Sequence, residues 1–200
     1  MDILWAKGWR HFGSYFYRYS HLPKNDVIYS VLSLRIKLSE FKASKSQKRV
    51  INKNKDLEVI FKPAFVNQEV KDLFERHKQK FKENVPDSIY VFVSKKPASI
   101  PCECQSLCIY KEGKLIAISY LDIGETSSSS IYQCYDPNEA KRSLGVFMIL
   151  ESIRHSKKLN KDFYYPGYAY KEASHYDYKK RFAATEYFDW ESAWLPLPKS

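Results

Sequence analysis

Ile131-Tyr132-Gln133-Cys134-Tyr135-Asp136-Pro137 is the stretch on which the fold turns. Strand-forming residues run directly into an Asp-Pro pair. Asp suits a helix N-cap, Pro suits the first helical position, and Glu139 falls in the first turn. A helix is expected from there to about Lys158, burying Leu144, Phe147, Met148, Leu150 and Ile153. Gly145 leaves open a later start near Ser143, with a loop before it. A strand that ends at a helix N-terminus presents free backbone N–H groups and a positive dipole end. Asp136, Ser143 and Gly145 thus mark a candidate site for the phosphate or carbonyl of an acyl donor. The competing reading makes Asp136 a plain N-cap.

Upstream, Leu107–Tyr110, a turn at Glu112-Gly113, and Leu115–Asp122 read as a hairpin. The run Ser127–Ser130 reads as a polar loop, and Ile89–Val93 as strand-like between Pro86 and Pro97. Asn67 to Asn84 reads as a helix capped by Asn67, with Val70, Leu73, Phe74 and Phe81 at helical spacing. Val27–Lys37 alternates in its second half, with Leu32, Leu34 and Ile36 on one face, and reads as a strand. Leu57–Phe61 and Ser14–Tyr19 are further strands, and residues 2–7 a short helix ended by Gly8. Downstream, Phe163–Tyr165 is a last strand leading into a tyrosine-rich tail.

The 200 residues allow one domain or two small joined ones. Apolar residues make up 44%, enough for a core without disulfides or metal. No apolar run reaches the ~18 residues of a membrane helix. Met1–Gly8 lacks the pattern of a signal peptide, so a cytoplasmic protein is expected. The net charge of +10 is uneven: residues 1–64 carry 13 basic against 5 acidic residues, the remainder 20 against 18. Lys45, Gln47, Lys48 and Arg49 lie in the densest part, a mixture of cations and neutral donors that suits phosphate contacts.

The spacing of Cys102, Cys104, Cys108 and Cys134 fits no zinc pattern, and the five histidines form no HExxH pair. They read as ordinary buried thiols with no metal site. There is no G-x-x-x-x-G-K-[ST], G-x-G-x-x-G or G-x-S-x-G, so nucleotide cradles and a serine nucleophile elbow have no support. Arg142-Ser143-Leu144-Gly145 partly matches the R-x-x-G-x-G/A loop of acetyl-CoA-dependent acetyltransferases, with Phe147 in place of the second small residue. Tyr164–Tyr170 and Tyr176–Phe182 place tyrosines beside cations, a composition that stacks on bases or lines a core edge.

Several segments fall in one family's order: Gly8-Trp9-Arg10-His11-Phe12-Gly13 with Tyr17-Arg18; Phe41–Arg49 with Asn52, Asn54, Asp56 and Leu57; Gly113–Ala117 with Asp122; and Ser130-Ile131-Tyr132. Tyr135-Asp136-Pro137, Ser143-Leu144-Gly145, Ile149-Leu150-Glu151, Tyr164–Tyr168 and Tyr178–Phe182 follow. The chain resembles the aminoacyl-tRNA–protein transferases, arginyl or leucyl. The resemblance implies an α+β protein: a basic α/β N-terminal region, residues 1–64, before a GNAT-type acetyltransferase-like domain, residues 65–200. It implies transfer of Arg or Leu from aminoacyl-tRNA to proteins beginning with Asp or Glu, marking them for degradation, without a cofactor. Asp136, Tyr135 and Tyr178 are then the catalytic candidates, and Tyr168, Ser143, Gly145, Lys179 and Arg181 the substrate-binding ones. Lys45, Gln47, Lys48 and Arg49 would hold the tRNA. The family's N-terminal cysteine cluster has no counterpart, because no cysteine precedes Cys102. Two other readings use the same fold: a non-catalytic tRNA- or degron-binding relative, and an acyl-CoA-dependent N-acyltransferase.

Overall fold

The hairpin expected around Glu112-Gly113 forms the centre of one large sheet. Glu112 and Gly113 both take positive φ, which makes the tight turn between β6 (Cys104–Lys111) and β7 (Lys114–Ile123). The computed structural model describes residues 1–24, 27–81 and 84–198. The other strands are β1 (Arg10–Phe12), β2 (Tyr15–Tyr17), β3 (His21–Lys24), β4 (Val27–Lys37), β5 (Glu58–Pro63), β8 (Ser127–Tyr135), β9 (Phe163–Tyr170), β10 (Thr185–Phe188) and β11 (Trp194–Pro196). The helices are α1 (Asp2–Ala6), α2 (Lys45–Lys53), α3 (Gln68–Lys78) and α4 (Leu144–Lys158). Strand order is β11-β10-β4-β9-β8-β7-β6-β5, with β3 on β4 and β1-β2 as a separate hairpin. Strands from residues 1–64 thus lie inside the same sheet as the rest: β4 sits between β10 and β9, and β5 pairs with β6.

Alternation along the central strands sends side chains to two cores. Cys108, Ile118 and Tyr120 meet Val70, Leu73 and Phe74 of α3 on one face. Ile109 and Ala117 meet Leu144, Phe147 and Met148 of α4 on the other. Each large apolar side chain so buried stabilises the fold by about 1.5–3 kcal/mol. All five α4 positions expected in the core are buried.

The helix starts at the later of the two expected places. Residues Pro137–Arg142 form a 3₁₀ turn, Ser143 takes φ +57°, and α4 begins at Leu144. Asn67 caps α3 through a 3.0 Å bond from the Val70 N–H, but α3 ends at Lys78 rather than running to Asn84; residues 82–83 of that expected helix lie outside the described ones.

Three expectations are overturned. The serine run is not a loop: Ser127, Ser128 and Ser129 open β8 and are buried. Their hydroxyls are small enough to pack and find partners, Ser128 with Ser156 at 2.6 Å and Ser130 with Tyr164 at 2.6 Å, so burial leaves those groups satisfied. Ile89–Val91 is a 3₁₀ turn capped by Ser88, which drives Ile89 and Val93 into the α3 core without a strand partner. Phe163–Tyr165 is not the last strand: β9 runs on to Tyr170, and β10 returns to pair with β4 and carries β11 on its outer edge.

Candidate active site

β8 and β9 are the parallel pair of the sheet, and α4 is the crossover between them. Their ladder covers only Ser127–Ser129 against Phe163–Tyr165. Beyond it the register of β7 on β8 shifts, pairing Tyr120 with Tyr132 but Leu121 with Ser130, so Ile131 is an extra residue. Such a bulge bends a strand and re-aims its side chains. The sheet opens here, and a cavity of about 860 Å³ occupies the opening. That volume falls in the range of small-molecule sites.

The start of α4, from Ser143 to Val146, forms one wall; no Ser143 side chain caps its free N–H groups. A Cβ on Gly145 would meet nothing within 4 Å, so this wall is open. His77 and Lys80, at the end of α3, form another wall with Tyr132 and Tyr135 of β8. The N-terminal hairpin supplies Arg10, Tyr17 and Tyr19, while Tyr168, Tyr178 and Lys179 close the far side.

The electrostatics are one-sided. Arg10, Lys80 and Lys179 line the cavity, and no Asp or Glu does among the described residues. Arg10 is 4% exposed. Its guanidinium donates to the carbonyls of Trp5 at 3.2 Å, Trp9 at 2.5 Å and Leu34 at 3.3 Å, and to Ser33 Oγ at 2.8 Å. Every one of those acceptors is neutral. The Lys179 ammonium donates to the Tyr168 carbonyl at 3.2 Å. Gly167, at φ +91°, lets β9 pass close to that ammonium: a Cβ there would stand 3.3 Å from Nζ. Desolvation first, and the Arg10 charge second, pull Lys179 down to about 8. Desolvation also lowers Lys80. Burial pulls His77 down to about 4, so it is neutral. Beside Arg10, His11 joins Asp122 through a 2.5 Å Nε2–Oδ2 contact, and its Nδ1 donates to the Gly13 carbonyl at 2.9 Å. That buried pair fixes the hairpin to β7.

Of the expected site residues, the structure brings Tyr135, Tyr178, Tyr168, Ser143, Gly145 and Lys179 to the cavity. Burial raises the Tyr178 hydroxyl above its usual range and the Tyr168 hydroxyl to about 12, so both are neutral; the Tyr168 proton is given to the Gly8 carbonyl at 2.6 Å. Asp136 is elsewhere. Its Oδ1 accepts the Asn138 N–H at 3.0 Å and its Oδ2 lies 3.2 Å from Arg76 Nε, on a shallow depression outside the cavity. Asp136 thus caps the 3₁₀ turn and stands apart from the other expected site residues. Arg181 is exposed and does not line the cavity; its carbonyl accepts from Gln47. Gln47 is buried in a capping box with Ser44 and is spent on folding α2, a correction to its expected RNA contact. Lys45, Lys48 and Arg49 are exposed on α2. The end of α2 is braced on the segment leading to Ser143, where Asn54 donates to the Arg142 carbonyl at 3.0 Å and Arg142 grips Asp56 at 2.9 and 2.8 Å.

The four cysteines are free, and burial raises their thiols, Cys108 to about 11 and Cys134 to about 12. They are poor nucleophiles. Arg10 and Lys80 were not singled out as site residues from the sequence. Only their place in the fold, lining the cavity with no acid among the described lining residues, marks them.

No helix among the described residues is long and apolar enough to cross a membrane. The chain is similar to the aspartate/glutamate leucyltransferase of Campylobacter jejuni, 34% identical over 185 residues, which are 90% of this chain and 76% of that protein. It is 28% identical over 206 residues to the aspartate/glutamate leucyltransferase of Pseudoalteromonas atlantica, covering 99% of this chain and 84% of that one. Among solved structures it is similar to FemX, with TM-score 0.56 at 8% identity, over 87% of this chain and 60% of that one. It is also similar to the C-terminal domain of a lysylphosphatidylglycerol synthetase from Agrobacterium fabrum, with TM-score 0.52 at 14% identity, over 71% of this chain and 47% of that one. These likenesses are of fold, and they agree with the expected α+β, acetyltransferase-like architecture. The family described as arginine-tRNA-protein transferase, C terminus, matches residues 66–189, from the loop before α3 to just beyond β10, and the chain belongs to that family.

Proposed function

We propose that the chain transfers leucine from leucyl-tRNA to the N-terminal amine of proteins that begin with Asp or Glu. The observation that carries this is the cavity's charge: three cations line it and no carboxylate does among the described residues. An arginyl side chain would enter without an acidic partner, at the cost of a desolvated charge. A leucyl side chain has Leu144, Val146 and Ile149 to meet. An acidic acceptor has Lys179 as its counter-ion, with the Arg10 charge behind it. The relatives' names, leucyltransferases acting on aspartate or glutamate, agree with both halves. A charged-tRNA donor supports the expected cytoplasmic location.

The reaction is aminolysis of an ester. The acceptor's neutral amine attacks the aminoacyl carbonyl, a C–N bond forms, and the bond to the ribose oxygen breaks. The amine's proton ends on that oxygen, leaving free tRNA. The ester is already activated, so positioning and stabilisation of the oxyanion supply the rate. The neutral hydroxyl of Tyr178 and the start of α4 are the donors at hand. Tyr135 and Tyr168 orient the terminal adenosine in this scheme, and Ser143 and Gly145 admit the donor's end.

The test is a transfer assay with tRNA charged with labelled Leu or Arg and peptides beginning with Asp, Glu or Ala. Leucine label on the Asp and Glu peptides alone is the expected result. Arginine label on those peptides would overturn the donor assignment. No label on any peptide would overturn the activity.

The exposed cations of α2 carry a separate expectation. Lys48→Ala/Arg49→Ala weakens tRNA binding about tenfold and flattens the slope of log K against log salt by about 1.5, because each lost phosphate contact removes roughly 0.7–0.9. Binding titrations at several salt concentrations measure this, and an unchanged slope removes α2 from the interface.

A further inference from the structure

Three tyrosines at alternate positions form a ladder that leads from solvent into the cavity wall. Tyr15 and Tyr17 stack with centroids 6.3 Å apart and planes within 28°. Tyr17 and Tyr19 stack at 5.6 Å and 24°. Tyr168 meets the two inner rungs edge-on, at 5.7 and 5.4 Å, and its hydroxyl is fixed by a 2.6 Å bond to the Gly8 carbonyl. Tyr17 also packs on Phe12 at 5.1 Å. The inner rungs are therefore held on two sides. Tyr17 and Tyr19 line the cavity, whereas Tyr15 is 72% exposed.

The geometry of the donor decides what this ladder is for. A cavity of about 860 Å³ admits the esterified end of a tRNA but not its duplex stem. The stem stays outside, near the basic face of α2, and the unpaired 3′ nucleotides must cross the rim. Bases without a pairing partner lose stacking energy unless the protein supplies flat faces. The ladder offers an exposed ring at Tyr15 that continues through Tyr17 to Tyr19 at the cavity. We infer that Tyr15, Tyr17 and Tyr19 form the stacking track for the single-stranded 3′ tail of the tRNA, with Tyr15 as its entry. This inference rests on the transferase reading and adds a binding element in the N-terminal hairpin, outside the matched residues 66–189.

Stacking and phosphate contacts differ in their response to salt. A lost cation contact changes the salt slope, whereas a lost stack lowers affinity at every salt concentration alike. The probes are two uncharged RNA hairpins with the same acceptor-stem duplex, one blunt and one with a four-nucleotide 3′ tail. Wild-type protein is expected to prefer the tailed hairpin. Tyr15→Ala reduces that preference by about 5- to 150-fold, the range for one stacked base. It leaves blunt-hairpin affinity, salt slope and the KM for an acceptor peptide unchanged. Tyr15→Trp, which keeps a π face, restores the preference. No tail preference in the wild type, or an intact one in Tyr15→Ala, overturns the track. So does a raised peptide KM with tail preference intact, which would give the ladder to the acceptor. A tail preference that depends on Tyr15, in a protein that transfers nothing to any peptide, sinks the transferase reading but not the track.

Discussion

Lys179→Met lowers kcat/KM for Asp- and Glu-peptides by roughly 10- to 150-fold, the range for losing a hydrogen bond to a charged group. The Km for charged tRNA is expected to stay the same. The expectation rests on an ammonium that lies in the cavity, donates to one carbonyl, and has Arg10 rather than a carboxylate as its charged neighbour. The pH profile separates this role from a structural one. With its ionisation near 8, Lys179 is protonated below that pH and binds the acceptor's carboxylate; above it the attraction is lost. The acceptor's α-amine must be neutral to attack, and it ionises in the range of about 7.7–8.0. In the wild type, kcat/KM therefore rises with pH as the amine deprotonates and falls as Lys179 does. In Lys179→Met the falling limb disappears. Stability moves the other way. A lysine whose folded-state value lies below the unfolded 10.5 costs stability at neutral pH, because the unfolded chain holds the proton more readily; the cost is full below about 8 and fades as pH rises towards 10.5. Methionine removes it, so the variant melts higher while its transfer rate drops. A variant that melted lower, or kept its alkaline limb, would make Lys179 a packing residue only.

That opposition of stability and activity also explains which parts of the site the sequence makes legible. Val27–Lys37 reads correctly as a strand, but its burial is not one-sided: Val31 and Ser33 are buried along with Leu34 and Ile36, and Leu32 is half-buried. Asn67 and the apolar positions of α4 read correctly because capping and helical spacing are local. Ser127–Ser129 misleads because local composition favours a loop. The Ser128 hydroxyl instead finds its partner 28 positions on, at Ser156. Residues 185–188 pair with β4, about 150 positions earlier, and nothing near them announces it. Asp136 shows what a local signal leaves out: the signature of a cap is real, but it says nothing about which side of the strand the carboxylate faces. The structure turns it towards Arg76. The family resemblance brought Lys179, Tyr168 and Tyr178 to attention. The uncompensated charge of Arg10 depends on neutral oxygens from α1, β4 and the turn between α1 and β1, so only the assembled fold reveals it.

Arg10→Ala is the substitution with the largest expected effect on the fold. The guanidinium ties the Trp5 and Trp9 carbonyls to Ser33 and Leu34, and it lies 4.7 Å from the Tyr165 ring and 5.7 Å from that of Tyr168. Truncation takes a shared donor from these oxygens, of which the Trp5 carbonyl keeps the Gly8 N–H, and opens a gap beneath the tyrosines. Hydrogen bonds to a charged group are worth about 1.5–3 kcal/mol each, offset in part by relief of one desolvated cation, so a net loss of about 3 kcal/mol is expected. For a domain of this size each kcal/mol lowers Tm by about 2–4 °C, so a fall of roughly 6–12 °C is expected in a thermal melt. Arg10→Lys keeps the charge but not the planar fork that serves β4 and α1 together, and it should recover only part of the loss. The lysine variant therefore separates the two jobs of Arg10. If its charge helps to hold Lys179 down, Arg10→Lys keeps the alkaline limb of the transfer profile near pH 8 despite a lower Tm. Arg10→Met, which removes the charge but keeps apolar bulk, shifts that limb upward because one of the two causes of the depression is gone. An alkaline limb that stays in place in Arg10→Met would mean that desolvation alone sets Lys179, and that Arg10 serves the fold and not the site.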